Sequence, residues 1–333
     1  MLKAVSPMIE LSTRDRDAML RAAVIAPSMH NTQPWRFRFQ GWVVEVYRDK
    51  ERELPAEDPD RRMLFLSLGA AIFNLRVEAA ARGYGSQVRQ LTDRQRPDLV
   101  AVVELGGPHS GQLQLLAPCL IHRRTNRQPF TGQRLPGQVR AELVLSARIE
   151  GAELQWLDRP LRRWWLRMAT NEAAATDDDD ALRTAERRRW AGGDRDVDGI
   201  PSTALGPRSA GGEAVVREFA ATPADATRPM ALFESEPQLA VLSTRYDGPA
   251  EWLRAGQALE RVLLEATAHG VSTSLLNQVI EHEDLRRELD DPLDPELRPQ
   301  SVIRFGYGPP VPPTPRRPLA DVTMPDDAAA GQE

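Results

Sequence analysis

Apolar and polar positions alternate along this chain with two different periods. Residues 12–24, S-T-R-D-R-D-A-M-L-R-A-A-V, read as a helix that Ser12 or Thr13 can cap, with Asp15 and Asp17 suited to its positive end. That helix should stop before Pro27. Trp35, Phe37 and Phe39 then alternate with Arg36 and Arg38. After Gln40-Gly41 a second apolar run reaches from Trp42 to Tyr47, which is the pattern of a β-hairpin. From 66 to 83 the helical period returns: Leu68, Ile72, Leu75 and Ala79 share one face, and Gly83 is a natural stop.

Residues 253–270 repeat that second helix in register. Superposing Gly69 on Gly256 also pairs Glu78 with Glu265, Ala79 with Ala266 and Gly83 with Gly270. Each helix is later followed by an apolar strand ending in glycine, Leu99 to Gly106 and Val302 to Gly306. This agreement predicts two related halves joined near residue 112, covering 1–112 and 113–322. The second half is longer, and its excess lies at about 160–235, where periodicity is poor. That stretch holds Trp164-Trp165, read as helix-face packing, and the acidic run Asp177 to Asp180, read as a solvated helix start. A Gly/Pro/Ser-rich segment follows from Gly192 to Gly212. A stretch this long without clear elements is expected to be a lid or disordered. Pro309 to Pro318 carries six prolines in ten residues and should be extended chain. The tail, 323–333, is expected to be disordered.

Composition narrows the function. The chain has 41 arginines but only two lysines, Lys3 and Lys50, an excess in keeping with a GC-rich coding sequence. Against 48 Asp plus Glu the net charge is −5, so binding of nucleic acid by bulk electrostatics is not expected. One cysteine, Cys119, excludes an internal disulfide framework and a multi-thiolate metal site, and it reads as a small buried apolar residue. The five histidines have no metal-ligand spacing, so no metal is expected. There is no secretory signal pattern and no run of about 18 uninterrupted apolar residues, so a cytoplasmic protein without membrane partners is expected.

Four segments could carry chemistry. In A-P-S-M-H-N-T-Q-P-W at 26–35, Pro27 and Pro34 bracket Ser28, His30, Asn31, Thr32 and Gln33; this is either a polar turn or a site. In H-R-R-T-N-R at 122–127, three arginines surround a hydroxyl. The string suits a dianion, and in so arginine-rich a chain it also arises without function. Gln278-Val279-Ile280-Glu281 follows the repeated helix, with Glu281 readable as a surface acid. Arg316-Arg317 lies in the proline-rich segment and is readable as solvated tail. There is no G-x-G-x-x-G, no G-x-x-x-x-G-K-[ST] and no G-x-S-x-G, so Rossmann, P-loop and serine-elbow chemistry are unsupported.

Together these segments resemble the FMN-dependent nitroreductases. A-P-S-M-H-N-T-Q-P-W is similar to their A-P-S-x-x-N-x-Q-P-W, and R-R-T-N-R is similar to the R-R-S-x-R that opens them. The helix at 253–270, Q-V-I-E, the strand into Gly306-Tyr307-Gly308 and the late P-R-R-P resemble their second half. D-V-D-G-I-P at 196–201 and the order of motifs resemble the Acg-type NAD(P)H nitroreductases of actinobacteria. The resemblance implies an α+β fold in which two fused halves stand for a nitroreductase dimer, with a lid insertion. Only the first half carries A-P-S-x-x-N and only the second R-R-T-N-R. The counterpart of the loop, 141–156, reads A-E-L-V-L-S-A-R-I-E-G-A-E-L-Q-W, so one FMN site per chain is implied and a second is degenerate.

By the same resemblance Arg123, Arg124 and Thr125 meet the phosphate and ribityl chain. Arg127 lies by the flavin N1–C2=O edge. Ser28, Asn31 and Gln33 approach from the first half, Gln278 and Glu281 from the second, Glu281 through its backbone N–H toward N5, and Arg316 or Arg317 closes on the phosphate. Where the family commonly has Gly after that Glu, this chain has His282. Trp35 is assigned to packing. The implied activity is hydride transfer from NADH or NADPH to FMN and then to a small-molecule electron acceptor, a nitroaromatic or quinone. The flavin carries the chemistry, so no catalytic side chain is required. The rival reading is FMN storage or sequestration behind a lid that blocks nicotinamide. The fused halves imply a pseudo-dimeric monomer, or a further homodimer.

Overall fold

The computed structural model describes residues 11–90, 95–211, 217, 219, 227–289 and 296–325. Ser12 caps α1 (Thr13–Val24), its side chain accepting from the Asp15 N–H. The expected hairpin follows as β1 (Trp35–Gln40) and β2 (Val43–Arg48), with Gly41 at φ 58° supplying the left-handed turn residue. Next come α2 (Arg62–Ala81), β3 (Ser86–Gln90), β4 (Leu99–Leu105) and a short α3 (Gly111–Gln114). The chain continues through α4 (Gly137–Ile149), β5 (Glu153–Trp156), α5 (Pro160–Asp179) and α6 (Ala181–Trp190). It then passes β6 (Arg208–Ser209), β7 (Met230–Ala231), β8 (Gln238–Thr244), α7 (Pro249–Ala268) and β9 (Ser272–Leu275). It ends with α8 (Gln278–Glu281), α9 (Glu283–Glu288), β10 (Arg298–Gly306) and α10 (Leu319–Val322).

The result is an α+β fold with two antiparallel four-stranded sheets, ordered β1-β2-β4-β3 and β5-β8-β10-β9. In chain order each sheet is a helix, two strands, a long helix and two strands, so the two orders are the same. Between the first two strands, the first sheet has the Gly41-Trp42 turn, and the second has everything from Leu157 to Pro237.

The long helices α2 and α7 cross in the core. A Cβ on Gly69 would lie 2.1 Å from the Leu253 carbonyl, and one on Gly256 would lie 2.1 Å from the Leu66 carbonyl. Only glycine permits that approach, and the contact is reciprocal. Among the described residues α2 is the one helix long and apolar enough to cross a bilayer, but it is buried as a core helix. The apolar sides of both sheets pack on this pair, with Phe37, Val46 and Val103 on one side and Leu154, Leu242 and Ile303 on the other.

Several expectations change. The stretch from 160 to 190 is helical rather than irregular, because α5 and α6 bury Leu166, Ala173 and Trp190. The acidic run is not a single solvated start. Asp177 is fully buried in the last turn of α5, whereas Asp180 does begin a helix, accepting from the N–H groups of Leu182 and Arg183. Trp164 is half exposed, while Trp165 packs on the core and donates to Glu288. Cys119 is half-buried rather than buried. The tail is ordered at its start: Val322 is buried, Thr323 pairs with Phe37 and Met324 N–H donates to the Phe37 carbonyl, extending the β1 edge. Residues 326–333 of the expected disordered tail lie outside the described residues, as do 212–216, 218 and 220–226 of the insertion.

Candidate functional site

The loop between α1 and β1 is shaped by backbone that side-chain-bearing residues rarely adopt. His30, Asn31 and Gln33 have φ of 49°, 57° and 53°, and the prolines at either end prevent relaxation into helix. Ser28 Oγ accepts from the Gln33 N–H at 3.0 Å. Asn31 donates its amide to the carbonyls of Gly199 and Pro315, at 2.9 and 3.0 Å. Gln33 donates to the Val197 carbonyl and accepts from the Arg317 N–H. The loop is therefore a clamp that fixes D-V-D-G-I-P and the proline-rich segment at one place. Three non-glycine residues in left-handed geometry make it a strained segment held by its partners, and on that ground a candidate for function.

The arginine segment reaches the same place from the second sheet. Thr125 bridges to Thr273 of β9, and Asn126 donates through its N–H to the Thr273 carbonyl and through its side chain to the Pro309 carbonyl. Pairing along this edge keeps the segment extended and turns Arg123, Arg124, Thr125 and Arg127 toward a cavity of about 250 Å³. Ser28 and Asn31 line that cavity from the first half, with Glu281 and Arg316 from the second. Eight of the eleven residues singled out by sequence thus converge.

Three do not line the cavity. Gln33 is buried in the clamp just described. Arg317 turns the other way, into an ion pair with Asp49 at 3.1 Å. Gln278 is buried at the start of α8. The backbone of Glu281 is also committed, its N–H donating to the Asn277 carbonyl at 3.0 Å, and its carboxylate is buried rather than a surface acid.

The cavity is strongly cationic. At one end Arg123 and Arg316 both donate to the Ile25 carbonyl, with Arg124 alongside. Burial, with Arg123 and Arg124 nearby, pushes the Arg316 guanidinium down to about 9. The acid here is Glu260, 3.2 Å from Arg123 and fully buried; burial pushes its carboxyl up to about 7 against the pull of Arg123 and Arg316. Apart from that ion pair, which runs from Arg123 Nε, Arg123 Nη1 and Arg316 Nε are buried without a hydrogen-bond partner among the described residues. At the other end Arg127 donates to the Ala204 carbonyl, and its guanidinium lies 5.4 Å from the Phe219 ring centroid. Burial and the nearby Arg217 and Arg228 push Arg127 down to about 10. Gly206, at φ 76°, lets this segment touch Arg127, where a Cβ would sit 2.6 Å from the Arg127 carbonyl.

Sequence reasoning missed the buried network that seats the insertion. Glu57 accepts from His30 at 2.6 Å, Arg187 at 3.1 Å and Arg217 at 3.2 Å. Asp177 pairs with Arg183 at 2.7 Å, Arg187 at 2.8 Å and His282 at 3.0 Å. Glu281 pairs with Arg217 at 2.7 Å. Burial works to raise Glu57, but His30, Arg217 and Arg187 outweigh it and hold the carboxyl far below the usual range. His282, which departs from the family pattern, thus joins this network. Nothing in the local pattern singled out Arg217 or Phe219, which lie where periodicity fails.

No protein-family model matches the chain. Among solved structures, a putative nitroreductase from Anabaena variabilis shares 10% identity with a TM-score of 0.50, over 90% of this chain and 74% of that one. The fold is therefore that of the nitroreductases. The putative NAD(P)H nitroreductase Rv3131 of Mycobacterium tuberculosis is 30% identical over 316 residues, 91% of this chain and 89% of that protein. The putative NAD(P)H nitroreductase acg of the same organism is 28% identical over 315 residues, 91% of this chain and 93% of that protein. The chain belongs to the FMN-dependent nitroreductase superfamily, in its acg-type branch.

Proposed function

We propose that the protein binds one FMN per chain in this cavity and acts as an NAD(P)H-dependent oxidoreductase on a nitroaromatic or quinone. The observation that carries the reading is the arginine end. Arg123 and Arg316 act on one acid, Glu260, that burial holds near neutrality, and Arg124 adds a third guanidinium beside them. Arg123 Nη1 and Arg316 Nε have no hydrogen-bond partner among the described residues. A phosphate dianion supplies the missing acceptors and the missing charge. When bound, FMN accepts a hydride from NADH or NADPH and returns two electrons to the acceptor.

The protein's own residues bind and orient. Arg123, Arg124 and Arg316 would hold the phosphate with Thr125, and Ser28 and Asn31 would close the site from the first half. Arg127, fixed by Ala204 and Phe219, would keep positive charge at the ring edge. We further infer that the chain is two fused halves, 1–112 and 113–322, meeting at the α2–α7 crossing. The shared strand order and the reciprocal Gly69–Gly256 approach support this.

The rival, FMN storage behind a lid, is favoured by one observation: Ile200, Thr203, Ala204, Gly206, Arg217 and Phe219 of the insertion all line the cavity. Anaerobic mixing of the FMN-loaded protein with NADH or NADPH separates the two. Rapid bleaching at 450 nm is expected for an oxidoreductase. Bleaching by dithionite alone would favour storage, and a deletion of 191–236 that recovers nicotinamide reduction would identify access as the block. A colourless protein that does not bind added FMN would overturn both.

A further inference from the structure

Helix α1 precedes the first strand of one sheet, and α4 precedes the first strand of the other. On the two-half reading their C-caps correspond: Ile25 ends α1, and Glu150 ends α4. At Ile25 two guanidiniums, Arg123 and Arg316, converge on the backbone carbonyl and belong to the cationic cavity. At Glu150 two guanidiniums also converge, one from each long helix. Arg76 of α2 donates through Nη1 to one carboxylate oxygen at 2.7 Å, and Arg261 of α7 donates to the other at 2.9 Å.

This second cluster is built like a ligand site. The Arg261 side chain is 7% exposed, Arg76 17% and Glu150 9%. Arg76 is held in place by Gln257 at 2.9 Å and by the Phe73 ring, 5.4 Å from its guanidinium. The Nε–H of both arginines is buried and has no partner among the described residues. Two cations share one carboxylate, and donors exceed acceptors, as at the arginine end of the cavity. The difference is the source of the anion, which here is a side chain of the protein.

We propose that Glu150 is an internal anion closing the counterpart of the cofactor pocket, and that Arg76 and Arg261 form an oxyanion site that takes phosphate once this carboxylate is removed. The correspondence rests on the two-half reading; the site itself rests on the three side chains. A single carboxylate satisfies the clamp more cheaply than an external ligand, since no binding entropy is lost. One chain would thereby keep one cofactor pocket and stabilise the other face of the helix pair without a ligand.

The test uses FMN-saturated wild type, Glu150→Ala and the near-isosteric Glu150→Gln, with thermal midpoints measured in potassium phosphate and in potassium chloride at equal ionic strength. Glu150→Ala is expected to be destabilised in chloride. Phosphate should restore part of the loss, with a half-maximal effect at a concentration about tenfold or more below any effect on wild type. Adding Arg76→Gln to Glu150→Ala should abolish the response. Should Glu150→Ala not fold, the same comparison with Glu150→Ser decides, while Glu150→Gln, whose amide still fills the place, should not respond to phosphate. Equal phosphate responses in variant and wild type, or a variant as stable as wild type in chloride, would overturn the proposal. FMN content is read by absorbance on the same samples. A colourless wild type with a phosphate-responsive variant would break the flavin reading and leave this one standing.

Discussion

Two charged clusters beside the cavity use the same residue types and reach different balances. In the network that seats the insertion Arg183, Arg187 and Arg217 face Glu57, Asp177 and Glu281, with His30 2.6 Å from Glu57 and His282 3.0 Å from Asp177, while Arg127 stands outside this pairing. At the arginine end Arg123, Arg124 and Arg316 cluster, and the acid that Arg123 and Arg316 act on among the described residues is Glu260, whose carboxyl is pushed up to about 7. A matched network, whose cations meet acids within the protein, acts as a fastener between elements distant in sequence. An unmatched one, with fewer acids than cations, gains stability from an external anion. The density of arginine is therefore a poor guide to a ligand site; the local count of acids is the useful quantity.

The largest effect is expected on breaking the matched network. Arg187 of α6 pairs with Glu57, which precedes α2, and with Asp177 of α5, so its loss leaves two carboxylates buried with less compensation. Arg187→Ala should lower unfolding free energy by about 3–5 kcal/mol in urea titration. It should also expose the insertion to limited proteolysis. A loss below about 1 kcal/mol would show that the matched charges fasten nothing.

The arginine end should respond in the opposite manner. Arg123→Ala is expected to weaken FMN binding by ~2 kcal/mol or more, roughly 30-fold, in a fluorescence titration. The loss in stability without FMN should be smaller, because Arg123 leaves behind an acid that is readily neutral. Unchanged FMN affinity would remove Arg123 from the phosphate seat, and with it the meaning given to the charge excess.

Much of this was legible in the sequence, and for identifiable reasons. The equivalence of α2 and α7 was visible because Gly69 and Gly256 stand in register in both copies; that the two helices cross at these glycines came only with the structure. The arginine end was visible because Arg123, Arg124 and Thr125 are contiguous in one short polar string. The network that seats the insertion was not. Glu57, Asp177, Arg217 and Glu281 are brought together only by tertiary packing, and each alone looks like a surface charge. Asp177 was misjudged because its neighbours Asp178 to Asp180 set the local pattern, although α5 turns it inward. Arg317 and Arg316 are adjacent and chemically alike, yet extended chain points them in opposite directions, one to Asp49 and one to the cavity.

Glu260 offers the finest probe of the difference between the two clusters. Its carboxyl titrates near 4.5 in the unfolded chain, and burial pushes it up to about 7 in the folded one, despite Arg123 and Arg316. Between those values the native state keeps a proton that the unfolded state has released, so stability falls as pH rises through this window. Glu260→Gln cannot titrate. In the absence of FMN, wild type should lose stability relative to the variant from about pH 4.5 to about 7 and hold a constant gap above, on the order of 1–3 kcal/mol by denaturant titration. An anion seated on Arg123 and Arg316 withdraws the cations that favour ionised Glu260, so saturating FMN should move the window to higher pH. Glu57, held ionised by matched partners, should show no such shift. Parallel pH profiles for wild type and Glu260→Gln would mean that this carboxyl is ionised throughout. The arginine end would then carry more internal compensation than a ligand seat requires.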